Sequence, residues 1–340
     1  MECKGYKITV MPGDGIGPEV IEQALKVLDY SGLPFQYEYA RIGLDCYNQT
    51  RESLPQETLE SIISSDSTLF GAVSTPIGIP EYKSPIIELR RQLQLYANVR
   101  PSISLSNNSN IDITIIRENT EDLYSGIERI EDNGNRAVTE RIITRNASET
   151  IIRYAFDYAI SHGKNRVHAV HKANVMKATC GLFLDTYNEI AKEYEDIDAR
   201  KAIVDAAAMQ IITEPEIFQV IVTTNMFGDI LSDIASAVAG SIGAAPSGNI
   251  GYNYSVFEPI HGSAPHIAGN NRANPIGTIM SAAMMLEHLS QYDPGMQDYY
   301  GYSKKIRSAV RKAVKDNYVT RDMGGRLNTT ETTNAIIDRI

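Results

Sequence analysis

The chain has 340 residues, a length that predicts about two domains at roughly 150 residues each. Hydrophobic residues make up 43% of the sequence and charged residues 22%, which excludes a disordered, collagen-like or coiled-coil protein. The formal net charge is −10 at pH 7, and no long run of lysine or arginine occurs. We therefore expect no nucleic-acid partner.

The distribution of apolar residues and cysteines predicts the cellular location. The first residues lack the apolar run of a secretory signal, and no stretch of about 18 apolar residues occurs, so we expect a cytoplasmic protein without a membrane span. The three cysteines, Cys3, Cys46 and Cys180, lack metal-ligand spacing. They predict neither a disulfide framework nor a zinc site.

Predicted strands and helices alternate along the chain. A strand at 8–11 ends in the glycine turn 13–17, and a helix begins at Pro18 with Glu19 in its first turn. The other predicted strands are 35–39, 68–73, 111–116, 167–171, 202–205 and 220–224. The other predicted helices are 55–64, 85–95, 147–162, 181–192, 228–239 and 275–289. This alternation predicts an α/β fold.

We expect the chain to cross between domains twice. Segment 96–101 leaves a helix and enters the polar loop 102–110, and the segment 240–251, rich in glycine, interrupts a helical pattern. The predicted domains are 1–99 with 251–340, and 100–250. The charged stretch 120–144 predicts a hairpin arm outside the main sheets, suited to contact with a partner.

Three aspartates are candidate metal ligands. Asp229 and Asp233 are four residues apart on one predicted helix and share a face, and Asp205 ends a predicted strand. Carboxylate oxygens are the ligands that Mg²⁺ and Mn²⁺ prefer. Alternatively, Asp229 is a helix N-terminal charge and Asp233 is solvated. Because apolar residues flank Asp233, burial without a partner would be costly, and a metal would remove that cost.

Several cationic or phenolic side chains follow predicted strands or helices. Lys172 follows the strand 167–171, where a lysine can take part in proton transfer or be a solvated cap. Arg90, Arg100 and Arg117 could bind two carboxylates bidentately, or form only surface salt bridges. Tyr124 is a proton donor or a core aromatic.

Two loops contain glycine in patterns that suit phosphate binding. The turn 13–17 has the spacing GxGxG instead of GxGxxG, and no acidic residue ends the next strand, so the dinucleotide signal is weak. The loop 258–269 could present backbone N–H groups to phosphates, or be a plain surface loop.

Together these segments resemble the β-decarboxylating 2-hydroxyacid dehydrogenases, the family of isocitrate, 3-isopropylmalate and homoisocitrate dehydrogenases. The resemblance covers nearly the whole chain. Its motifs, in family order, are GDGIGPE (13–19), LRRQLQLYANVRP (89–101), RENTEDLYSGIE (117–128), HKANV (171–175), NMFGDILSD (225–233), PSGNIG (246–251) and FEPIHGSAPHIAG (257–269). It implies two α/β domains unlike a Rossmann fold, and a homodimer or higher assembly with the arm as a clasp.

The resemblance also implies a reaction. This reaction is the metal-dependent oxidative decarboxylation of a (2R,3S)-2-hydroxy-3-substituted di- or tricarboxylate, with hydride transfer to NAD or NADP. Lys172 would be the base and Tyr124 the proton donor. Asp229 and Asp233 would bind Mg²⁺ or Mn²⁺, with Asp205 and Lys172 contributed across the dimer interface. The implied cofactor-binding residues are Thr75, Glu258, His261, Gly262, Ser263, Ala264, His266, Ile267 and Asn274.

The substrate-binding residues that the resemblance implies are Ser84, Ile86, Ile87, Arg90, Arg100 and Arg117. In the family, the residues before Arg90 face the group that distinguishes substrates. Isocitrate enzymes typically carry Asn where Ile86 stands, and homoisocitrate enzymes of one bacterial type carry Arg where Ile87 stands. An apolar pair favours an isopropyl group, at about 0.8 kcal/mol per buried CH₂. We expect 3-isopropylmalate, with isocitrate, homoisocitrate or several substrates as alternatives.

Cofactor preference departs from the usual family pattern. Members that use NAD carry Asp where His266 stands, and Arg272, Arg321 and Arg326 lie in segments that the family places near the adenosine ribose. NADP is therefore expected to be tolerated or preferred. A non-catalytic regulatory subunit is the alternative of a different class. Such a subunit should lack some of the catalytic residues named above, and all are present.

Overall fold

A computed structural model of the protein describes residues 5–79, 81–105, 111–292 and 297–340. Its strands are β1 (Tyr6–Gly13), β2 (Phe35–Tyr39), β3 (Ser67–Ala72), β4 (Ala97–Ile103), β5 (Asp112–Glu118), β6 (Glu128–Glu131), β7 (Arg136–Thr139), β8 (Arg166–His171), β9 (Asp198–Ile203), β10 (Val220–Thr223), β11 (Pro246–Ile250) and β12 (Ser255–Pro259). Its helices are α1 (Gly17–Asp29), α2 (Leu44–Thr50), α3 (Gln56–Ile63), α4 (Pro85–Gln92), α5 (Arg145–Ser161), α6 (Thr179–Ile190), α7 (Val204–Thr213), α8 (Asn225–Ala239), α9 (Ile276–Tyr292), α10 (Gln297–Lys315) and α11 (Thr329–Ile337). The predicted α/β fold is confirmed.

The chain divides into two units. Unit 1 comprises Met1–Leu93, Ser104–Ser109 and Ala239–Ile340, and unit 2 comprises Gln94–Ile103 and Asn110–Val238. In unit 1 the strand order is β2-β1-β3-β12-β11, parallel except for the antiparallel pair β11 and β12. In unit 2 the order is β4-β5-β10-β8-β9, parallel except for the antiparallel pair β4 and β5.

The glycine turn after β1 explains how unit 1 begins. Gly13 and Gly15 have φ values of 72° and 59°, a region that favours glycine. A Cβ atom at position 15 would lie 2.0 Å from the carbonyl oxygen of Ser263, which accepts a hydrogen bond from the Ile16 N–H at 2.8 Å. The turn therefore packs against protein backbone, and α1 then buries one apolar face against the core.

The arm region forms its own small sheet in unit 2. β6 and β7 pair in antiparallel register and make a separate two-stranded sheet within the stretch 120–144. The bridge between Asp122 and Ile142 closes the base of this stretch.

Three strands of the main sheets, β4, β11 and β12, were not predicted from the sequence, and β4 and β11 lie where the chain was expected to cross between domains. Segment 96–101 is mostly the strand β4, whose polar side chains Asn98, Arg100 and Ser102 are all buried, so they resembled a loop in the sequence. Segment 240–251 contains β11, which pairs with β12 and therefore belongs to unit 1. Residues 106–110 of the predicted loop 102–110 lie outside the described residues.

Further differences concern the site residues and the helices. Asp205 does not end a strand: β9 ends at Ile203, and Asp205 lies in the first turn of α7. Glu258 lies within β12 instead of beginning a loop. The helices α2, α7, α10 and α11 were not predicted.

Two expectations on thiols and membranes can be compared with the described residues. Cys46 and Cys180 are buried free thiols, and Cys3 lies outside the described residues. None of the helices in the described ranges combines the length and apolar composition needed to cross a membrane.

Candidate active site

The carboxylate of Asp229, in the first turns of α8, is the centre of a polar cluster in unit 2. The Tyr124 hydroxyl donates to its Oδ2 at 2.6 Å. Arg100 Nη1 donates to its Oδ1 at 3.1 Å, and Arg117 Nη1 donates to the same oxygen. The structure thus places a predicted proton donor, two predicted carboxylate-binding arginines and a predicted metal ligand in one cluster.

Arg100 is held by two residues that the sequence analysis did not identify. Its Nε donates to Asn98 Oδ1 at 2.5 Å, and its Nη1 donates to Ser232 Oγ at 2.7 Å. Asn98 lies two residues before Arg100 on β4, and Ser232 lies three residues after Asp229 on α8. The strand period places Asn98 on the same face as Arg100, and the helix period places Ser232 on the same face as Asp229. This spacing could have identified both residues from the sequence.

Arg117 is buried and fixed at both ends of its guanidinium group. Its Nε donates to the carbonyl oxygen and to Oδ1 of Asn225, at 2.9 and 3.0 Å. Its guanidinium carbon lies 5.1 Å from the ring centroid of Tyr124. The Arg117 side chain can pack against α8 because residue 228 is glycine: a Cβ atom there would lie 2.6 Å from Cγ of Arg117.

Asp233 lies one helical turn beyond Asp229. Its Oδ1 is 3.9 Å from Arg100 Nη1. Partial burial raises the pKa of Asp233, and Arg100 opposes that shift. Two carboxylates on adjacent turns, in a partly buried setting, are a donor set that suits a hard divalent cation such as Mg²⁺ or Mn²⁺.

The remaining candidates of unit 2, Lys172 and Asp205, pair with each other. Lys172 follows β8, and its Nζ donates to Asp205 Oδ1 at the start of α7. This hydrogen bond lowers the pKa of Asp205. Within the described ranges, no three His, Cys, Asp or Glu side chains lie close enough together to hold a metal ion, so Asp205 does not join Asp229 and Asp233 in one chain.

In unit 1, Arg90 belongs to a buried triad. Its Nε donates to Asn249 Oδ1 at 3.1 Å, and its Nη2 donates to Glu258 Oε1 at 3.3 Å. Asn249 Nδ2 donates to the same Glu258 oxygen at 2.7 Å. A predicted substrate residue and a predicted cofactor residue are therefore joined by Asn249, which the sequence analysis missed.

The predicted specificity residues begin the same helix as Arg90. Ser84 occupies the position before α4, and Ile86 and Ile87 lie one turn before Arg90. Both isoleucines are half-buried, so part of each apolar side chain remains accessible beside the arginine face.

Unit 1 also contains a cavity of about 600 Å³. Its lining residues are Ile16, Ser241, Ile242, Gly243, His261, Ala264, Ile267, Asn270, Asn271, Arg272, Asn274, Arg321, Asp322, Arg326, Leu327, Asn328 and Glu331. Four of the predicted cofactor residues are among them. The other five, Thr75, Glu258, Gly262, Ser263 and His266, are not. Ser263 instead binds the Ser74 hydroxyl at 2.7 Å, next to the exposed Thr75.

His261 presents a hydrogen-bond acceptor in this cavity. Burial lowers the pKa of His261, which favours the neutral ring. Its Nδ1 lies 3.0 Å from the carbonyl oxygen of Gly262, so the proton is assigned to Nδ1. Nε2 is buried and has no hydrogen-bond partner among the described residues. An acceptor of this kind matches the exocyclic amino group of an adenine.

Asp322 lines the same cavity and connects several of its side chains. Its carboxylate accepts hydrogen bonds from Ser241 at 2.6 Å, Asn274 at 2.8 Å and Thr320 at 2.5 Å. The three cavity arginines, at positions 272, 321 and 326, form no ion pair with any residue that the structure describes. No local pattern in the sequence pointed to Asp322, because Asn274 is 48 residues away.

A family model described as isocitrate/isopropylmalate dehydrogenase matches residues 7–340. The chain belongs to this family. A homoisocitrate dehydrogenase of Methanocaldococcus jannaschii is 46% identical, over 98% of this chain and 97% of that protein. A 3-isopropylmalate dehydrogenase of Methanothermobacter thermautotrophicus is also 46% identical, over 96% of each chain. The crystal structure of isocitrate dehydrogenase from Methylococcus capsulatus has a TM-score of 0.92 at 42% identity, over 98% of this chain and 99% of that one.

Membership in the isocitrate/isopropylmalate dehydrogenase family confirms the resemblance and the enzyme class. The protein is an NAD(P)-dependent decarboxylating dehydrogenase, and enzymes of this family generally require a divalent metal. The homoisocitrate and 3-isopropylmalate dehydrogenases are both 46% identical and the isocitrate dehydrogenase is 42% identical, so these relatives do not settle which of the three hydroxy acids is the substrate.

The substitution Gly228→Ala tests the cluster around Asp229. The added methyl group overlaps Arg117 and should displace its guanidinium from Asp229. Loss of one charge-assisted hydrogen bond, at about 1.5 to 3 kcal/mol, predicts a fall of roughly ten- to 150-fold in kcat/KM for the accepted hydroxy acid. Steady-state kinetics on the folded variant measures this.

Gly181→Ala in α6 is the matched control. Nothing lies within 4 Å of a Cβ atom at position 181, and alanine favours the helix by about 0.8 to 1 kcal/mol. This variant should keep its activity and gain stability. Equal kcat/KM values for the two variants would show that activity does not depend on the position of Arg117 beside Gly228.

Proposed function

We propose that the protein is a 3-isopropylmalate dehydrogenase. The observation that carries this proposal is the convergence of Tyr124, Arg100 and Arg117 on Asp229, with Asp233 one turn away. This cluster combines carboxylate recognition, a metal donor set and a proton donor. The half-buried Ile86 and Ile87 beside Arg90 favour an isopropyl substituent over a carboxylate-bearing one.

Substrate binding in this account depends on the arginines. Arg100 and Arg117 have planar guanidinium groups whose forks match carboxylates, and their positions are fixed by hydrogen bonds at Nε. Arg90, fixed by Asn249 and Glu258 in unit 1, is the third arginine proposed to bind a carboxylate. Fixed clamps orient the hydroxyl-bearing carbon before reaction, which is an entropic contribution to the rate.

Two side chains move protons. Lys172 must first release its ammonium proton; the neutral Nζ then accepts the proton of the 2-hydroxyl as the hydride leaves C2, and the C3 carboxylate departs as CO₂. Tyr124 Oη donates a proton to C3 of the resulting enolate, and the product is a 2-oxo acid. When bound, a divalent cation would supply Lewis-acid polarisation at the C2 oxygen, and a nicotinamide would supply the hydride acceptor. Asp229 and Asp233 would hold the metal, and the unit 1 cavity would hold the cofactor.

The third metal ligand and the base are proposed to come from a second copy of the chain. Asp205 is not grouped with Asp229 and Asp233 in one chain, and it forms an ion pair with Lys172. Asp205 and Lys172 would therefore act together in the partner's site. This assignment requires a homodimer.

Initial rates test the reaction and the substrate. 3-Isopropylmalate, isocitrate and homoisocitrate are each assayed with NAD and with NADP, in the presence of Mg²⁺ or Mn²⁺. The highest kcat/KM is expected with 3-isopropylmalate, because each buried CH₂ contributes about 0.8 kcal/mol. Faster turnover of isocitrate or homoisocitrate would overturn the substrate proposal. Absence of metal-dependent NAD(P)H formation with all three would indicate a regulatory subunit.

Complementation tests the cross-subunit assignment. Lys172→Ala and Tyr124→Phe homodimers should both be nearly inactive. A hybrid dimer has one site with both substitutions and one site with neither, so mixing and reassociating the two variants should restore part of the activity. Native mass spectrometry confirms that hybrids form. Inactive hybrids would place Lys172 in the site of its own chain.

NADP is the proposed preferred cofactor. Arg272, Arg321 and Arg326 line the cavity without ion-pair partners among the described residues, and a 2′-phosphate carries close to two negative charges. Position 266 holds His, where an Asp would repel that phosphate.

Two substitutions should lower the ratio of kcat/KM for NADP over NAD. Arg326→Ala removes a cation, and His266→Asp adds an anion next to a cavity residue. Each should change the ratio by at least about tenfold, equivalent to about 1.4 kcal/mol. Arg311→Ala on the exposed face of α10 is the control and should leave the ratio unchanged. An unchanged ratio in both test variants would show that neither position senses the phosphate.

A further inference from the structure

Arg141 follows the arm strands and joins several segments of unit 2. Its Nε and Nη2 donate to the two oxygens of Asp122 at 2.6 and 3.2 Å, and Nη2 also donates to Thr224 Oγ1 at 2.7 Å. Its Nη1 lies 3.1 to 3.3 Å from three acceptors in the first turn of α6 and the segment just before it, namely Met176 Sδ, Thr179 Oγ1 and Cys180 Sγ. One guanidinium group therefore binds three separate parts of the chain.

Asp122 is the main partner of Arg141 and is fully buried. Its carboxylate also accepts hydrogen bonds from the backbone N–H groups of Leu123, at 3.0 Å, and Met226, at 3.2 Å. Its φ of 71° is in the left-handed region that non-glycine residues rarely adopt. Asp122 lies two residues before Tyr124, and its side-chain contacts stabilise this unfavourable backbone conformation.

Each segment bound by this pair carries a residue of the proposed reaction. The Asp122 turn leads to Tyr124. Thr224 and Met226 begin the helix of Asp229, and the Arg141 guanidinium lies 5.0 Å from the ring centroid of Phe227 in the same turn. Met176, for its part, donates its backbone N–H to the carbonyl oxygen of Lys172 at 2.9 Å.

We propose that Arg141 and Asp122 are positioning residues, which hold the segments of Tyr124 and Asp229 for the site of their own chain and the segment of Lys172 for the partner's site. This inference rests on the proposed function for the roles of those three residues. Neither member of the pair contacts substrate in this account. Their effect is transmitted through the backbone turns that they fix.

Arg141→Lys is the principal test. Lysine keeps the positive charge but has a single nitrogen, which cannot reach Asp122, Thr224 and the start of α6 together. The expected result is a fall in kcat of roughly ten- to 100-fold, the cost of a displacement near 1 Å. The KM values for hydroxy acid and cofactor should change by less than about threefold, since the arginine clamps and the cavity stay in place.

A spectroscopic measurement separates positioning from general destabilisation. 3-Fluorotyrosine is incorporated at position 124, and its ¹⁹F NMR signal is recorded without substrate. Asp229→Asn calibrates the shift caused by changing the Tyr124 partner. In Arg141→Lys the signal should move towards that calibrated position or split. Asp122→Asn keeps the shape of the side chain but places an amide against the Arg141 donors, so it should shift or split the fluorine signal in the same way. This variant replaces Arg141→Lys as the test if the lysine variant fails to fold.

Arg153→Lys is the matched control, because Arg153 forms an exposed ion pair with Glu193 in the same unit. It should change neither kcat nor the fluorine signal. A wild-type signal and kcat in folded Arg141→Lys and Asp122→Asn would overturn the inference. The fluorine signal does not depend on turnover. A failure of the proposed function would appear as an inactive wild-type protein and can therefore be distinguished from a failure of this inference.

Discussion

The Asp229 carboxylate accepts hydrogen bonds from Arg100, Arg117 and Tyr124, and these contacts determine how the elements of the candidate site in unit 2 are arranged. Arg100 and Arg117 are 6% and 1% exposed, and a buried guanidinium without partners is strongly destabilising. Asp229 supplies the opposing charge for both, while Asn98, Ser232 and Asn225 satisfy further donors. Because these partners lie on β4 and α8, the relative placement of strand, helix and arginines is fixed by polar contacts as well as by packing. The same arrangement brings the Tyr124 hydroxyl to the carboxylate.

The sequence predicted those parts of this structure that local periodicity controls. Helix α1 and the shared face of Asp229 and Asp233 follow from a period of 3.6 residues, and β2 follows from its bounding turns. Strand β4 was missed because its buried polar residues find partners far along the chain. Arg100 and Ser232, for example, are 132 residues apart. Asp322 and Arg141 were missed for the same reason, since their partners are set by tertiary structure and leave no local pattern.

The candidate site could be assembled from the sequence only through the family resemblance. Single residues such as Lys172 or Tyr124 had ordinary structural explanations, and the order of seven motifs is what distinguished them. Substrate choice is a finer property. An extra methylene or methyl group in an apolar pocket changes specificity by about 1 to 3 kcal/mol, through very few side chains, whereas the fold depends on the whole core. A relative at 46% identity can therefore differ from this chain in substrate without differing in architecture.

Asp229 and Asp233 are proposed to hold the divalent metal of this enzyme, and their arginine partners to bind the substrate carboxylates. Both roles can be measured by following Mn²⁺ binding with electron paramagnetic resonance, with and without 3-isopropylmalate. The substrate should tighten Mn²⁺ binding by about tenfold or more, because its carboxylates compete for the guanidinium groups that otherwise bind Asp229. Asp229→Asn should weaken binding strongly, and turnover should cease in EDTA and return with Mg²⁺ or Mn²⁺. Full turnover after exhaustive chelation, or Mn²⁺ binding that neither the substitution nor the substrate alters, would contradict the account.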